Sequence, residues 1–122
     1  MSGWAYVVVL IGLAALVLLL ARRVLLVVRV SGPSMLPTFE HGDAVLAVRR
    51  GLGKRLRPGD IVVCRLPPAA RGPDSLVIKR IREVDSDQVF LVGDGPHSYD
   101  SRQFGPIAAG HVVGRVIAHL RL

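Results

Sequence analysis

The sequence predicts an all-β fold, a small antiparallel β domain behind one N-terminal transmembrane helix. Three observations carry that expectation. Residues 4–21 run for 18 residues without a charge. Beyond residue 30, no segment sustains the 3.6-residue apolar period of an amphipathic helix. Short β-branched runs recur there at roughly 10–15-residue spacing, separated by glycine, proline, aspartate and serine.

The apolar run comes first. At ~1.5 Å per residue it spans roughly 27 Å as a helix, enough for a hydrocarbon core of about 30 Å. Trp4 and Tyr6 sit at one end, where aromatic rings favour the interface, and Arg22 and Arg23 close the other. A cleaved leader would carry a basic start and a small-residue cleavage site. Met1-Ser2-Gly3 has no charged side chain and Arg22-Arg23 follows the core directly, so a retained anchor is expected over residues 1–23. Residues 24–122 are then the β-rich domain, long enough for one modest core.

Within that domain VLLVVRV (24–30) reads as a strand. SGPSMLPTF (31–39) is a stiff turn, because its prolines fix φ and remove donors. HGDAVLAVRR (41–50) is a turn and a strand. GLGKRLRPGD (51–60) is a loop, and its Gly51-x-Gly53 lacks the third glycine of a dinucleotide fingerprint, with Leu56 in that place. IVVCRL (61–66) is a short buried strand and PPAARGPD (67–74) a proline-rich loop. LVIKRIREV (76–84) and VFLV (89–92) are strands joined by DSDQ. GDGPHSYDSRQFGP (93–106) is a long polar loop, and HVVGRVIAHLRL (111–122) the last strand.

Charge and composition exclude several classes. The net charge is +7, of which Arg22, Arg23 and Arg29 supply three near the anchor. The remainder is spread out and poor in aromatics, whereas nucleic-acid binding calls for a concentrated basic face with stacking residues. No nucleic-acid partner is therefore expected, and anionic lipid or plain solvation accounts for the charge. The single cysteine, Cys64, precludes an intrachain disulfide and a multi-cysteine metal site, and its apolar run marks it as a core residue.

A serine held in the 31–39 turn invites a nucleophile reading, which requires a base. His41, His97, His111 and His119 fall in no recognisable motif and read as surface or packing residues. Gly32-Pro33-Ser34-Met35-Leu36 also lacks the second glycine of a G-x-S-x-G elbow. Lysine is the other option, and the chain has two, Lys54 and Lys79. Lys54 lies in a glycine- and arginine-rich loop and should be solvated. In a strand, Lys79 shares a face with Val77 and Ile81. Burial there would disfavour the ammonium form and free the amine to act as a general base. A lysine snorkelling from a strand edge fits the same pattern. The 93–106 loop crowds Asp94, Ser98, Asp100, Ser101 and Arg102, which by themselves indicate a turn-rich loop with an acid–arginine pair.

Taken together, SGPSMLPTF, RPGDIVV (57–63), VIKRI (77–81) and GDGPHSYDSRQFGPI (93–107) resemble the signal peptidase I family of membrane serine peptidases, in order and behind an anchor. The resemblance implies that residues 24–122 are a peptidase catalytic domain of signal-peptidase type. It implies Ser34 as nucleophile and Lys79 as general base. Ser98 matches a serine that orients the lysine amine, and Asp100 with Arg102 a structural ion pair. Gly32 occupies a place where some members carry a serine that helps hold the oxyanion; other branches have glycine there, and a role for Ser31 is open. Met35, Leu36 and Phe39 could contribute to an apolar patch that meets substrate or the membrane. The family implies no metal and no cofactor. Its substrates are preproteins cut after a small-x-small motif, and membrane lipid is its other contact. The family's G-D-N reads Gly93-Asp94-Gly95 here, in a loop that looks shorter than in many members.

The flanking charges and the resemblance disagree about sidedness. Arg22, Arg23 and Arg29 favour a cytoplasmic domain, whereas secretory signal peptidases of this layout keep it outside. An extracytoplasmic catalytic domain at the cell membrane is expected. The same motifs also resemble dedicated maturation peptidases, such as those of nickel-containing superoxide dismutase, and the mitochondrial inner-membrane peptidases. A non-catalytic membrane-anchored β module is the alternative of a different class, in which Ser34 and Lys79 would be dispensable and far apart. A self-cleaving repressor would need a DNA-binding domain, and the anchor takes up the room for one.

Overall fold

The computed structural model describes residues 2–49, 55–65, 76–96 and 98–120. Lys54, Gly51, Gly53, His97 and the proline-rich loop at 67–74 lie outside the described residues. Helix α1 covers Gly3–Val24, with Arg22 and Arg23 in its last turn. It is long and apolar enough to cross a membrane, with a mean hydropathy of 2.7, and none of its most apolar window is buried within the protein. Leucine, alanine and valine fill it, and its apolar side chains stay exposed rather than joining the core of the sheet.

The helix leads directly into β1 (Leu25–Arg29). Strands β2 (Ala44–Arg49), β3 (Ile61–Arg65), β4 (Leu76–Asp85) and β5 (Gln88–Val92) follow. A four-residue helix α2 (Ser101–Phe104), a short β6 (Ile107–Ala108), a 3₁₀ turn (Ala109–His111) and β7 (Val112–Leu120) complete the chain. The seven strands form one sheet in the order β1-β2-β7-β3-β4-β5-β6. Each neighbouring pair is antiparallel, as the alternating runs separated by turn residues predict.

Three details differ from the sequence expectation, the first being the short strand β6, where none is expected. The 93–106 segment is not loop throughout. Asp100 caps α2 by accepting from the Arg102 N–H, and Gln103 reaches back to the Asp100 N–H in a capping box. The last strand starts at Val112 rather than His111, which ends the 3₁₀ turn.

Apolar side chains cover both faces of the sheet. Val62, Cys64, Val77, Ile81 and Leu91 belong to one cluster. Val30, Met35, Phe39, Val45, Val63 and Ile78 belong to the other. Adjacent residues of β3 and β4 therefore feed opposite clusters, the two-residue period of a strand buried on both sides. β7 pairs with both β2 and β3, so the last strand ties the half of the sheet next to the Ser34 turn to the half that carries Lys79.

Candidate active site

Ser34 sits on the turn that leaves β1. The Leu36 N–H donates to the Pro33 carbonyl at 3.1 Å and the Phe39 N–H to the Met35 carbonyl at 3.0 Å. Gly32 adopts φ +80°, a conformation that side-chain-bearing residues rarely take, and the Leu36–Pro37 peptide is cis. Met35 and Phe39 fasten the turn from beneath, at 0% and 4% exposure.

Lys79 is the largest fully buried side chain, 1% exposed, on β4 between Val77 and Ile81. Its Nζ donates to the Ser98 hydroxyl at 2.9 Å. Ser98 in turn favours the ionised form of the Asp100 carboxyl. Burial alone would push the Asp100 carboxyl up. Hydrogen bonds from Arg102, Ser98 and the Gly93 N–H outweigh it and hold the carboxyl far below the usual range. Arg102 meets this carboxylate through both Nε and Nη2, at 2.9 and 2.8 Å, a two-point pairing that fixes its orientation. The Lys79 amine thus bonds to Ser98, and Ser98 helps keep Asp100 ionised.

The loop at 93–98 brings these residues against the Ser34 turn. The Gly95 N–H donates to the Ser34 carbonyl at 2.8 Å. Gly93 lies between the two parts: a Cβ there would run into the Ser98 hydroxyl on one side and the Ser34 carbonyl on the other. A Cβ on Gly95 would strike the Pro33 carbonyl. Both glycines are required for close approach, as in a joint between two backbones. A second tie is made by Asp94. Its carboxylate accepts from the Thr38 hydroxyl at 2.5 Å and from Arg80 Nε and Nη2 at 2.8 Å each. These hydrogen bonds, Arg80 foremost, lower the Asp94 carboxyl against the opposing effect of partial burial. Arg80 follows Lys79 directly and Thr38 lies four residues after Ser34, so one carboxylate clamps the Ser34 turn to the strand that carries Lys79.

A cleft of about 240 Å³ opens beside Ser34, bounded by the end of β1 and the turn on one side and by Leu76, Val77 and Ile78 on the other. Strand edges on its walls suit an extended peptide backbone, and its small volume restricts the side chains that enter.

The sequence-predicted residues therefore come together in part as expected. Lys79, Ser98, Asp100 and Arg102 form one connected network, and Ser34 packs on it through Gly93 and Gly95. Gly32 and Ser31 lie in the turn, Ser31 on the cleft wall. The expected apolar patch needs correction: Met35 and Phe39 are core residues that fill the space between the turn and the sheet, and offer no face to a bilayer. Met35 reaches the cleft floor instead, while Leu36 stays half-buried. The Thr38–Asp94–Arg80 clamp and the close approach at Gly93 were not legible as such, because each joins residues distant in sequence. Cys64 is fully buried as expected. Burial pushes its thiol up to about 12, with neighbouring Lys79 opposing, so the thiol stays protonated and unreactive. Among the described residues, no group of three or more His, Cys, Asp and Glu side chains is placed to hold a metal ion.

The family profile described as Peptidase S24-like matches residues 13–117. The chain belongs to the S24-like peptidase family. It is 34% identical over 111 residues to the mitochondrial ATP-independent inner membrane protease subunit 1b of Arabidopsis thaliana, covering 70% of this chain and 64% of that protein. It is 30% identical over 122 residues to the mitochondrial inner membrane protease subunit 2 of Schizosaccharomyces pombe, covering 81% and 66%. It is 32% identical over 114 residues to subunit 1 of Mus musculus, covering 74% and 66%. These relatives are signal-peptidase-I-type proteases, and the chain spans just under two thirds of their length.

Proposed function

We propose that this chain is a membrane-anchored serine endopeptidase in which Ser34 is the nucleophile and Lys79 the general base. The observation that carries the reading is the environment of Lys79. Its amine is withdrawn from water and donates to Ser98, and Ser98 packs on the same glycine as the Ser34 carbonyl. Desolvation of this kind lets a lysine serve as base near neutral pH. A purely structural lysine would gain nothing from a serine turn clamped beside it at three points.

In the mechanism, the Ser34 hydroxyl loses its proton to the neutral Lys79 amine and attacks the scissile carbonyl carbon. A backbone N–H of the turn stabilises the oxyanion, since Gly32 offers no hydroxyl. The protonated lysine gives its proton to the leaving amine, and an ester remains on Ser34. Water then attacks the ester with Lys79 as base again. Ser98 keeps the amine aimed throughout by accepting from it.

The substrate is an extended segment of a preprotein, laid in the cleft with small side chains on the inward positions, and cleavage follows a small-x-small motif. The active domain lies on the extracytoplasmic side of the membrane crossed by α1. The test is cleavage of a preprotein bearing such a site in membranes that contain wild type, Ser34→Ala or Lys79→Ala. Cleavage by wild type and loss in both variants is expected. Retained cleavage in either variant refutes the dyad. A folded wild type that leaves this preprotein intact refutes the general signal-peptidase reading and favours a protease dedicated to one precursor.

A further inference from the structure

His41 falls in no catalytic motif, yet its ring touches the turn that carries Ser34. The Gly32 N–H donates to His41 Nδ1 at 2.9 Å. In accepting, Nδ1 carries no proton, so the ring is held with its hydrogen on Nε2. We propose that His41 is a positioning residue for the nucleophile: it fixes Gly32, and through Gly32 the placement of Ser34. The idea rests on Ser34 as nucleophile.

The backbone around the contact explains why one hydrogen bond matters. Val30 is pinned on both sides, its N–H donating to the Asp43 carbonyl at 2.7 Å and its carbonyl accepting from Gly42 at 2.8 Å. Ser34 is pinned by Gly95 at 2.8 Å. Between them lies Gly32 at φ +80°, a residue that rotates with little steric penalty when nothing holds it, followed by Pro33, which has no N–H to donate. The His41 ring supplies the hold at that weak point.

His41 stands on a rigid base that does not depend on this contact. The Asp43 N–H donates to the Glu40 carbonyl at 3.1 Å. The Asp43 carboxylate accepts from the Glu40 N–H at 2.9 Å and pairs with His119 Nε2 at 2.8 Å. The His119 ring packs edge-on against Phe39, with centroids 4.9 Å apart. The residue that reaches Gly32 is therefore held by strand β7 and by the core beneath the turn.

Two substitutions separate the acceptor from the ring. In His41→Asn the side-chain oxygen occupies the place of Nδ1 and keeps an acceptor for Gly32. In His41→Phe the ring shape remains and the acceptor is gone. The first readout is independent of catalysis: nitrogen NMR on the full chain in detergent micelles, looking for scalar coupling across the hydrogen bond between the Gly32 amide nitrogen and His41 Nδ1. The second is cleavage of the small-x-small preprotein. The expected result is a coupling in wild type. Phe should lower kcat about three- to tenfold, the weight of one hydrogen bond acting on geometry, with KM unchanged. Asn should restore most of the rate. Absence of the coupling in wild type, a wild-type rate in the Phe variant, or an Asn variant as slow as Phe overturns the proposal. If wild type cleaves nothing, the coupling still decides the contact, while Ser34→Ala and Lys79→Ala decide the peptidase reading separately.

Discussion

Gly93→Ala probes the joint between nucleophile and base with one added methyl group. Gly93 does not sit in the left-handed region, so alanine meets no backbone penalty there and the effect is steric. The new carbon would lie 2.6 Å from Ser98 Cβ, where carbons settle at about 3.5 Å. It would press the Ser34 carbonyl as well, a backbone atom already fixed by Gly95. Roughly 0.9 Å must therefore be found between Gly93 and Ser98, and the Ser34 turn must give separately, because the new carbon would also run into its carbonyl. Overpacking of this kind costs about 1–3 kcal/mol, which lowers Tm by roughly 8–16 °C at the middle of that range for a domain of this size. A misplacement near 1 Å between reacting groups costs about 100-fold in rate. The assay is thermal unfolding by circular dichroism with single-turnover preprotein cleavage, and Gly110→Ala is the control. Gly110 has open space at its Cβ position, so alanine there should stay within about 0.5 kcal/mol of wild type. A Gly93→Ala protein with the Tm and rate of wild type would refute the close approach, and with it the geometric case for a Ser34–Lys79 pair.

Other perturbations follow from the same network. Ser98→Ala removes the acceptor seen by Lys79 Nζ; it should cost about 1–3 kcal/mol and lower kcat about 10- to 100-fold with KM unchanged, checked by steady-state kinetics. Lys79→Met replaces a fully buried amine with an apolar chain of similar length, so Tm should hold or rise while cleavage is lost; a Tm drop with activity retained would contradict the assignment. Asp100 carries a carboxyl lowered in the folded state, with Arg102 and Ser98 stabilising the anion. Its folded pKa lies below the unfolded value of about 3.9, so its stabilisation is complete above roughly pH 5 and is lost as pH falls toward the folded value. Tm measured from pH 7 down to 2.5 should fall at the acid end, and Asp100→Asn should be less stable at pH 7 with a flatter acid limb.

How much of this site could be read from the chain depends on how far its interactions reach. The long apolar helix and the strand runs were legible because each is marked locally, by an unbroken apolar run or a two-residue alternation, and dense motifs singled out Ser34, Lys79, Ser98, Asp100 and Arg102 as the residues to examine. The capping box of α2 was also local, in Asp100 and Gln103 at capping spacing, but the polar composition around it favoured loop. Nothing local marks Thr38 as a partner of Asp94, 56 residues away, or Gly93 as the glycine on which Ser34 rests. The order β2-β7-β3 likewise brings the chain's last strand to its middle, which no alternation pattern encodes.

Met35 and Phe39 show why apolar residues in turns are the hardest to place. An apolar side chain on a turn near a membrane helix has the same pattern whether it faces lipid or folds back onto a sheet. What decides is the space available beneath. Here the turn crosses over β2, β3 and β4, where Val45, Val63 and Ile78 present an apolar floor, and burying both side chains there removes more apolar surface from water than a partial contact with headgroups would. That choice also serves the chemistry. A nucleophile held by residues inserted in a lipid surface would move with that surface, whereas one bolted to the core keeps its distance to a lysine on the same sheet. The turn is thus anchored from below by Met35 and Phe39, from the loop side by Gly95 and Asp94, and from the strand side by His41, with Ser34 among the residues that line the cleft.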